Sequence, residues 1–440
     1  VAVGTGAARA RVVAAALAGG VAQGGGCAMT QRRFLFLQGV SSPMFRRLAQ
    51  ALRERGAAVH KVNFNMGDWA YWGDDEASHF RAPLPALPAW LTALVNRLHS
   101  TDLMLFGDCR PVHQAALALA PALGLRVHVM EEGYFRPYWF TLERDGVNAR
   151  SQLPRDPRWY LETGRALPEL PPPVHFTQRF RVRALHDVAY HAAGVLNPLG
   201  FPHYRTHAGR IAPLEYAGFL RRALRLRLSA ARDEALSRQW LEQGRPFYLL
   251  PLQLDHDSQI RQHSRFAGMA EVVEEVLVSF ARHAPGDAGL MIKNHPLDYR
   301  WRSLEAQTKA RCAALGIGHR VCYLETGDLQ TLVASAEGVV TINSTVGTLA
   351  LAAGRPVIAL GEAIYRMDGL SFEGQLDAFW RDGTPPDPVL YARFERVVMH
   401  TTQINGGLFG RRAIALGLGQ AADRLLSPRS VLEGLLEAGR

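Results

Sequence analysis

Four short stretches of this sequence carry residue types that do chemistry, and each follows a run of apolar residues. Met130-Glu131-Glu132-Gly133-Tyr134-Phe135-Arg136-Pro137 sets two adjacent carboxylates directly before a glycine. Burial or a neighbouring charge can hold one such carboxyl ready to give or take a proton, as a general acid/base must. A solvated strand end is the plainer reading. Pro251-Leu252-Gln253-Leu254-Asp255-His256-Asp257-Ser258-Gln259-Ile260 is a dense polar run. Asp257 there is either a helix cap or a carboxylate that attacks an anomeric carbon or steadies an oxocarbenium ion. Met291-Ile292-Lys293-Asn294-His295-Pro296 brings two cationic or potentially cationic side chains to a strand end, with Pro296 fixing the turn. A phosphate leaving group is stabilised by such neighbours. Val339-Val340-Thr341-Ile342-Asn343-Ser344-Thr345-Val346-Gly347 ends a strand and opens a helix. The helix N–H groups and the two hydroxyls form a phosphate cradle, or Ser344 is a helix cap and nothing more.

The elements that must position these residues follow from periodicity. Phe34–Leu37 reads as a buried strand, Met44–Arg55 as a helix with Phe45, Leu48, Ala49 and Leu52 on one face, and Val59–Phe64 as the next strand. Helix near Leu87–Leu98, strand Leu103–Phe106, helix His113–Ala122 and strand Arg126–Met130 continue the alternation. The pattern restarts at strand Phe247–Pro251 and runs through helix Arg265–Arg282 and strands Leu290–Lys293, Val321–Leu324, Gly338–Ile342 and Pro356–Leu360. The expected fold is α/β and GT-B-like: two Rossmann-like domains facing a central cleft, with a helical inter-domain insertion. Open α/β sheets bind ligands beyond the carboxyl ends of their strands, which is where the four stretches fall. The expected domains are an extension outside the fold (1–28), an N-terminal Rossmann-like domain (29–170), an Arg-rich helical connecting segment (171–245), a C-terminal Rossmann-like domain (246–385) and C-terminal helices packing back on the domains (386–440).

Composition narrows the function. With 440 residues, 48% of them hydrophobic, the chain is an ordinary globular protein of two or three domains. Its four cysteines are too few and scattered for a disulfide framework, and none forms a CxxC zinc pattern. The reducing cytoplasm fits this usage. No stretch after residue 28 has the apolar length of a membrane span. The formal net charge of +10 leaves three partners open: nucleic acid, an anionic membrane face or an anionic small substrate. Nucleic acid is disfavoured because no RRM, helix-turn-helix or zinc pattern is present. The first βα turn has no GxGxxG, which argues against an NAD enzyme.

The assembled motifs resemble a known family. Glu131-Glu132-Gly133, His295-Pro296 and Ser344-Thr345 are similar to motifs of bacterial sialyl- and polysialyltransferases, which use CMP-sugars. The longer strings resemble the capsule polysaccharide biosynthesis/export family of the KpsS/LipB type. They are Phe36-Leu37-Gln38-Gly39, Asn63-Phe64-Asn65-Met66-Gly67-Asp68, Glu132-Gly133-Tyr134-Phe135-Arg136-Pro137, Thr141-Leu142-Glu143, Pro251-Leu252-Gln253, Asp257-Ser258-Gln259-Ile260, Lys293-Asn294-His295-Pro296, Asn343-Ser344-Thr345-Val346-Gly347 and Gly369-Leu370. The resemblance covers about 30–400. It implies a retaining β-Kdo transferase that takes Kdo from CMP-Kdo to a phosphatidylglycerol lipid or a Kdo already on it, building the oligo-Kdo linker of capsular polysaccharide. It places the work at the inner face of the cytoplasmic membrane, with capsule assembly and export proteins as partners. Carried over onto this chain, Asp257 is the nucleophile of a double displacement and Glu132 the acid/base, with Glu131 the second choice. His295, Lys293, Pro296, Ser344 and Thr345 form the phosphate-binding end. Gln253, Asn343, Arg136 and Asp108 are second-rank binding candidates. No cofactor is expected. A metal site is not assigned, although Asp255 and Asp257 have the spacing of a DxD pair.

Residues 179–232 hold ten Arg and no Lys. The run Arg221-Arg222-Ala223-Leu224-Arg225-Leu226-Arg227-Leu228 has the composition of a helix lying on anionic lipid, so Arg221, Arg222, Arg225 and Arg227 are the expected membrane contacts. Arg stems packed on the core give the same composition. Two rivals to the transferase reading stand: another CMP-sugar transferase of the sialyltransferase kind, and a non-catalytic export component that binds lipid-linked glycan.

Overall fold

The structure is a computed structural model that describes residues 31–205, 212–254, 260, 262, 264–298 and 304–438; for 212–217, 219 and 220 it describes the backbone alone. The extension at 1–28 and Asp257 lie outside the described residues. The strands are β1 (Arg33–Phe36), β2 (Ala58–Asn63), β3 (Ala77–His79), β4 (Asp102–Phe106), β5 (Arg126–Glu132), β6 (Trp139–Arg144), β7 (Phe247–Pro251), β8 (Gly289–Lys293), β9 (Val321–Leu324), β10 (Gly338–Thr341), β11 (Val357–Ala359) and β12 (Gln403–Asn405).

They form two sheets in two compact units. The first unit comprises residues up to Pro154, Glu162–Gly209 and Arg393 onward. Its sheet has the order β12-β6-β5-β4-β1-β2-β3. β3, β2, β1, β4 and β5 are parallel, and β6 and β12 add an antiparallel edge. The second unit comprises Arg155–Leu161 and Arg210–Ala392, with an all-parallel sheet ordered β11-β10-β7-β8-β9. Both units are Rossmann-like, as the alternating pattern predicts. The residues of the expected connecting segment 171–245 contribute helices Phe180–Gly194, Asn197–Gly200 and Ala212–Glu242. They are divided between the units, with Glu162–Gly209 in the first and Arg210 onward in the second.

Parallel strands covered on both faces read as unbroken apolar runs, and β1, β4 and β8 do. In the first unit, helix Met44–Arg53 buries Met44, Phe45, Leu48, Ala49 and Leu52 against Phe34 and Phe36. On the other sheet face Leu35, Leu37, Leu103, Leu105 and Val129 pack with Leu87, Leu91 and Leu94 of helix Leu87–Leu98. In the second unit, helix Met269–His283 buries Val272, Val273, Val276, Leu277 and Phe280. At about 1.5–3 kcal/mol for each fully buried large apolar side chain, these helices hold their sheets rigid and fix the strand ends.

Candidate functional site

In the second unit the strand order turns back at β7, so β7 and β10 leave their helices on opposite faces and open a crevice beyond their carboxyl ends. Gln253 stands two residues past β7 and Asn343 two residues past β10. They meet there: Gln253 Nε2 donates to Asn343 Oδ1 at 3.1 Å, and the Asn343 N–H donates to Gln253 Oε1 at 3.3 Å. Ser344 then caps helix Thr345–Ala352, its hydroxyl accepting the Val346 N–H at 3.2 Å. Ser344 and Thr345 remain half-buried. Tyr365, fully buried, donates its hydroxyl to the Ser344 carbonyl at 2.8 Å. A Cβ at Gly347 would lie 2.1 Å from that hydroxyl, so the cap keeps its place only with glycine here. We expect Gly347→Ala to cost about 1–3 kcal/mol through overpacking. Unchanged denaturant unfolding would contradict this packing.

β8 lies beside β7, so the ends of β10, β7 and β8 span about 10 Å at ordinary strand spacing. Lys293 is the last residue of β8. Burial and the Arg222 guanidinium push its ammonium below the usual lysine value, while Asp233 and Asp328 pull the other way. Asn294 is buried; its Nδ2 donates to Glu325 Oε2 at 2.9 Å and its Oδ1 accepts the His295 N–H at 2.8 Å. His295 Nδ1 accepts the Leu297 N–H at 3.1 Å, which places the neutral ring's proton on Nε2. The imidazole is thereby set as a donor through Nε2. Pro296 is exposed at the turn.

The membrane assignment of the Arg221–Arg227 run needs correction at Arg222. Arg222 is 5% exposed. It ion-pairs with Glu325 and donates to the carbonyls of His295 (2.9 Å) and Pro296 (3.2 Å). Arg225 pairs with Glu325 at 2.7 Å and Glu305 at 2.8 Å. Glu325 itself is 2% exposed, and Asp233 holds its N–H at 2.8 Å. Arg222 therefore ties helix Ala212–Glu242 to the His295-Pro296 turn and is buried away from lipid, while Arg225, 35% exposed, is held by Glu305 and Glu325. Arg227 is exposed and Arg221 half-buried.

In the first unit Glu131 and Glu132 are the last residues of β5. Glu132 Oε2 lies 2.9 Å from Arg136 Nη1, and Oε1 lies 2.7 Å from Arg183 Nη2. Glu131 accepts from Asn148 Nδ2 at 3.1 Å. A Cβ at Gly133 would meet the Trp139 carbonyl oxygen at 2.3 Å, so only glycine lets the chain turn back along β6 here. Gln403 of β12 buttresses the turn: Oε1 accepts the Tyr134 N–H at 3.0 Å and Nε2 donates to Thr141 Oγ1 at 3.0 Å. Asp108 is corrected from binding candidate to structural group. It is wholly buried, accepting from Val147 N at 3.3 Å and Cys109 Sγ at 3.0 Å. The first unit thus brings Glu132 and Arg136 together, and the second brings Gln253 and Asn343 together and sets Lys293, His295, Ser344 and Thr345 at neighbouring strand ends.

Arg183 and Glu325 escaped the sequence reading. Arg183 sits in the Arg-rich stretch, whose composition pointed to lipid; Glu325, just past β9, carries no local motif. A third feature escaped too. Asp68 Oδ1 accepts from Tyr190 Oη at 3.0 Å, Tyr190 Oη accepts from Asn65 Nδ2 at 2.8 Å, and buried Lys61 stands 3.9 Å from Asp68. Burial pushes the Lys61 ammonium down to about 8. This network binds helix Phe180–Gly194 to the Asn63–Asp68 string. Among the described residues no His/Cys/Asp/Glu cluster could hold a metal ion. Cys109, Cys312 and Cys322 are buried thiols pushed upward by desolvation, Cys312 to about 11 and Cys322 to about 12.

Two Rossmann-like units with polar clusters at their strand ends define an α/β protein. The chain belongs to the capsule polysaccharide biosynthesis protein family, whose profile matches residues 101–409. It is 34% identical over 380 residues to the capsule polysaccharide export protein KpsS of Escherichia coli, covering 86% of this chain and 97% of that protein. It is 34% identical over 389 residues to the capsule polysaccharide modification protein LipB of Neisseria meningitidis serogroup B, covering 86% and 91%. Among solved structures, Thermosulfurimonas dismutans KpsC, a beta Kdo 2,7 transferase, aligns with 92% of this chain and 98% of its own at 12% identity and a TM-score of 0.43.

Proposed function

We propose that this protein is a retaining glycosyltransferase that moves Kdo from CMP-Kdo to a phosphatidylglycerol-type lipid or to Kdo already on it, building the oligo-Kdo linker of capsular polysaccharide. Family membership and the motif resemblance support the chemistry. The observation that carries the reading is the reciprocal Gln253–Asn343 pair at the turning point of the second sheet, flanked by the Ser344 cap and the His295 donor. In this mechanism Lys293, His295 Nε2–H and the Ser344-Thr345 cap take up the negative charge on the departing CMP phosphate. Asp257 attacks the anomeric carbon and holds the sugar covalently. Glu132, steadied by Arg136 and Arg183, takes the proton from the acceptor hydroxyl as that hydroxyl displaces Asp257. The test is label transfer from CMP-Kdo to a fluorescent phosphatidylglycerol analogue; CMP release without a glycosylated lipid would overturn it.

The word export in a relative's name favours one alternative, a non-catalytic component that binds lipid-linked glycan. It predicts glycan binding without CMP release.

The proposal places the protein peripherally on the inner face of the cytoplasmic membrane. No described helix is long and apolar enough to cross a membrane. With Arg222 and Arg225 assigned to the fold, lipid contact falls to exposed Phe180, Leu185, Val195 and Leu199 beside Arg179 and Arg181, and to Leu224, Arg227 and Leu228. We expect binding to vesicles rich in anionic lipid that weakens as salt rises from 0.05 to about 0.5 M. Leu185→Glu with Leu199→Glu should abolish it, measured by co-sedimentation. Undiminished binding would move the contact elsewhere.

A further inference from the structure

Glu132 is held from two sides. Arg136 Nη1 lies 2.9 Å from Oε2 and Arg183 Nη2 lies 2.7 Å from Oε1, so a guanidinium engages each oxygen of the carboxylate. The side chains of Arg136 and Arg183 are 53% and 45% exposed, against 23% for Glu132. Both cations are thus more open to solvent than the carboxylate they share. Other carboxyl groups of this unit have their own partners: Glu131 has Asn148 Nδ2, Glu143 has Tyr134 and Ser151, and Asp187 has His191 and Ser41.

Helix Phe180–Gly194 fixes Arg183 there by crossing the carboxyl ends of the first sheet. Arg183 meets Glu132 at the end of β5, Asp187 meets Ser41 past β1 at 3.4 Å, and Tyr190 meets Asn65 past β2 at 2.8 Å. The Arg183 guanidinium also lies 5.0 Å from the Phe409 ring centre. Leu185 and Val188 of this helix are exposed. One helix therefore carries both apolar residues open to lipid and an arginine that holds Glu132.

A carboxylate with a charge-assisted bond on each oxygen favours its ionised form and resists a proton. A general base must also reach the acceptor hydroxyl. Something must draw an arginine away before Glu132 can act, and an oxyanion matches the guanidinium fork.

We propose that Arg183 and Arg136 read the charge of the acceptor: an oxyanion, phosphate or carboxylate, beside the accepting hydroxyl takes over their guanidinium groups and frees Glu132 to receive the hydroxyl proton. This rests on the transferase reading above. The acceptor oxygen bonds to the anomeric carbon as the bond from sugar to Asp257 breaks, and the hydroxyl proton passes to Glu132. Water brings no oxyanion, so the arginines stay on Glu132 and the covalently held sugar is spared hydrolysis.

The test supplies CMP-Kdo with three acceptors in detergent micelles: the phosphatidylglycerol analogue, an alkyl Kdo glycoside and an uncharged alkylglycerol. Glycosylated product, CMP and free Kdo are all followed. We expect kcat/KM for a charged acceptor to exceed that for the uncharged one at least about tenfold, the worth of one hydrogen bond to a charged group. Preference for the phosphate or for the carboxylate identifies which oxyanion is read. Arg183→Gln should lower kcat/KM for the charged acceptor about tenfold, spare the uncharged one and raise the share of Kdo lost to water. Arg183→Lys should recover part of the preference, and Arg136→Gln repeats the measurement should Arg183→Gln not fold. Equal use of charged and uncharged acceptors would overturn the inference, as would a folded variant that loses all transfer and hydrolysis alike. No CMP release by the folded wild type would overturn the transferase reading itself, and this inference with it.

Discussion

Replacing Glu132 with Gln is expected to lower Kdo transfer by about 10²–10⁴-fold, the usual contribution of a positioned acid/base. Glutamine keeps the shape of the side chain and one acceptor for the Arg136 and Arg183 guanidiniums, but it cannot take a proton from an acceptor hydroxyl. Stability should stay within about 1 kcal/mol, because both arginines are about half exposed and such pairs contribute little. The contrast between the two readouts separates a chemical role from a structural one. Glu131→Gln is the control: Glu131 is held by Asn148 Nδ2, so its loss should disturb the turn and reduce transfer far less. Full transfer by Glu132→Gln would remove Glu132 from the mechanism.

The second large effect is expected at Arg222. Its guanidinium spans the Glu325 carboxylate and the carbonyls of His295 and Pro296 inside the second unit. Arg222→Met removes these bonds together and leaves Glu325 buried with Arg225 and Asn294 as its remaining partners. Breaking a buried pair from one side costs about 3–5 kcal/mol; with Arg225 still in place we expect about 3. For a unit of this size that is a fall of roughly 6–12 °C in melting temperature. Arg222→Lys should recover only part, since one ammonium cannot reach several acceptors in a plane. Arg227→Met, on the exposed side of the same helix, should leave melting unchanged. A shift under about 1 °C for Arg222→Met would show that the clamp does not hold the turn.

The parallel strands and their helices were legible in the sequence because buried strands and amphipathic helices are local patterns. Helix Leu87–Leu98 and strands Phe247–Pro251 and Val321–Leu324 stand at the residues the periodicity indicates. The strand ends were legible for the same reason: Glu131-Glu132, Lys293 and Asn343-Ser344 each sit where an apolar run stops. What escaped depends on partners far along the chain. β12 is three residues long and pairs with β6 some 260 positions earlier, so no local signal marks it. Arg222 and Glu325 are 103 positions apart. An Arg/Leu-rich helix has the same composition whether its arginines meet lipid phosphates or buried carboxylates, and only the fold decides between them. Gly133 and Gly347 stand in the sequence only as members of their motif strings, while the structure shows that a carbonyl and a tyrosine hydroxyl occupy the space of their missing Cβ atoms.

The central claim is transfer of Kdo, and the most direct measurement follows labelled Kdo from CMP-Kdo into a phosphatidylglycerol-type acceptor, with the product identified by mass. The account predicts a lipid product bearing Kdo in β-linkage, formed with release of CMP and abolished in Asp257→Asn. Stable glycan or nucleotide binding with no labelled lipid, under conditions where the chain is folded, would contradict it.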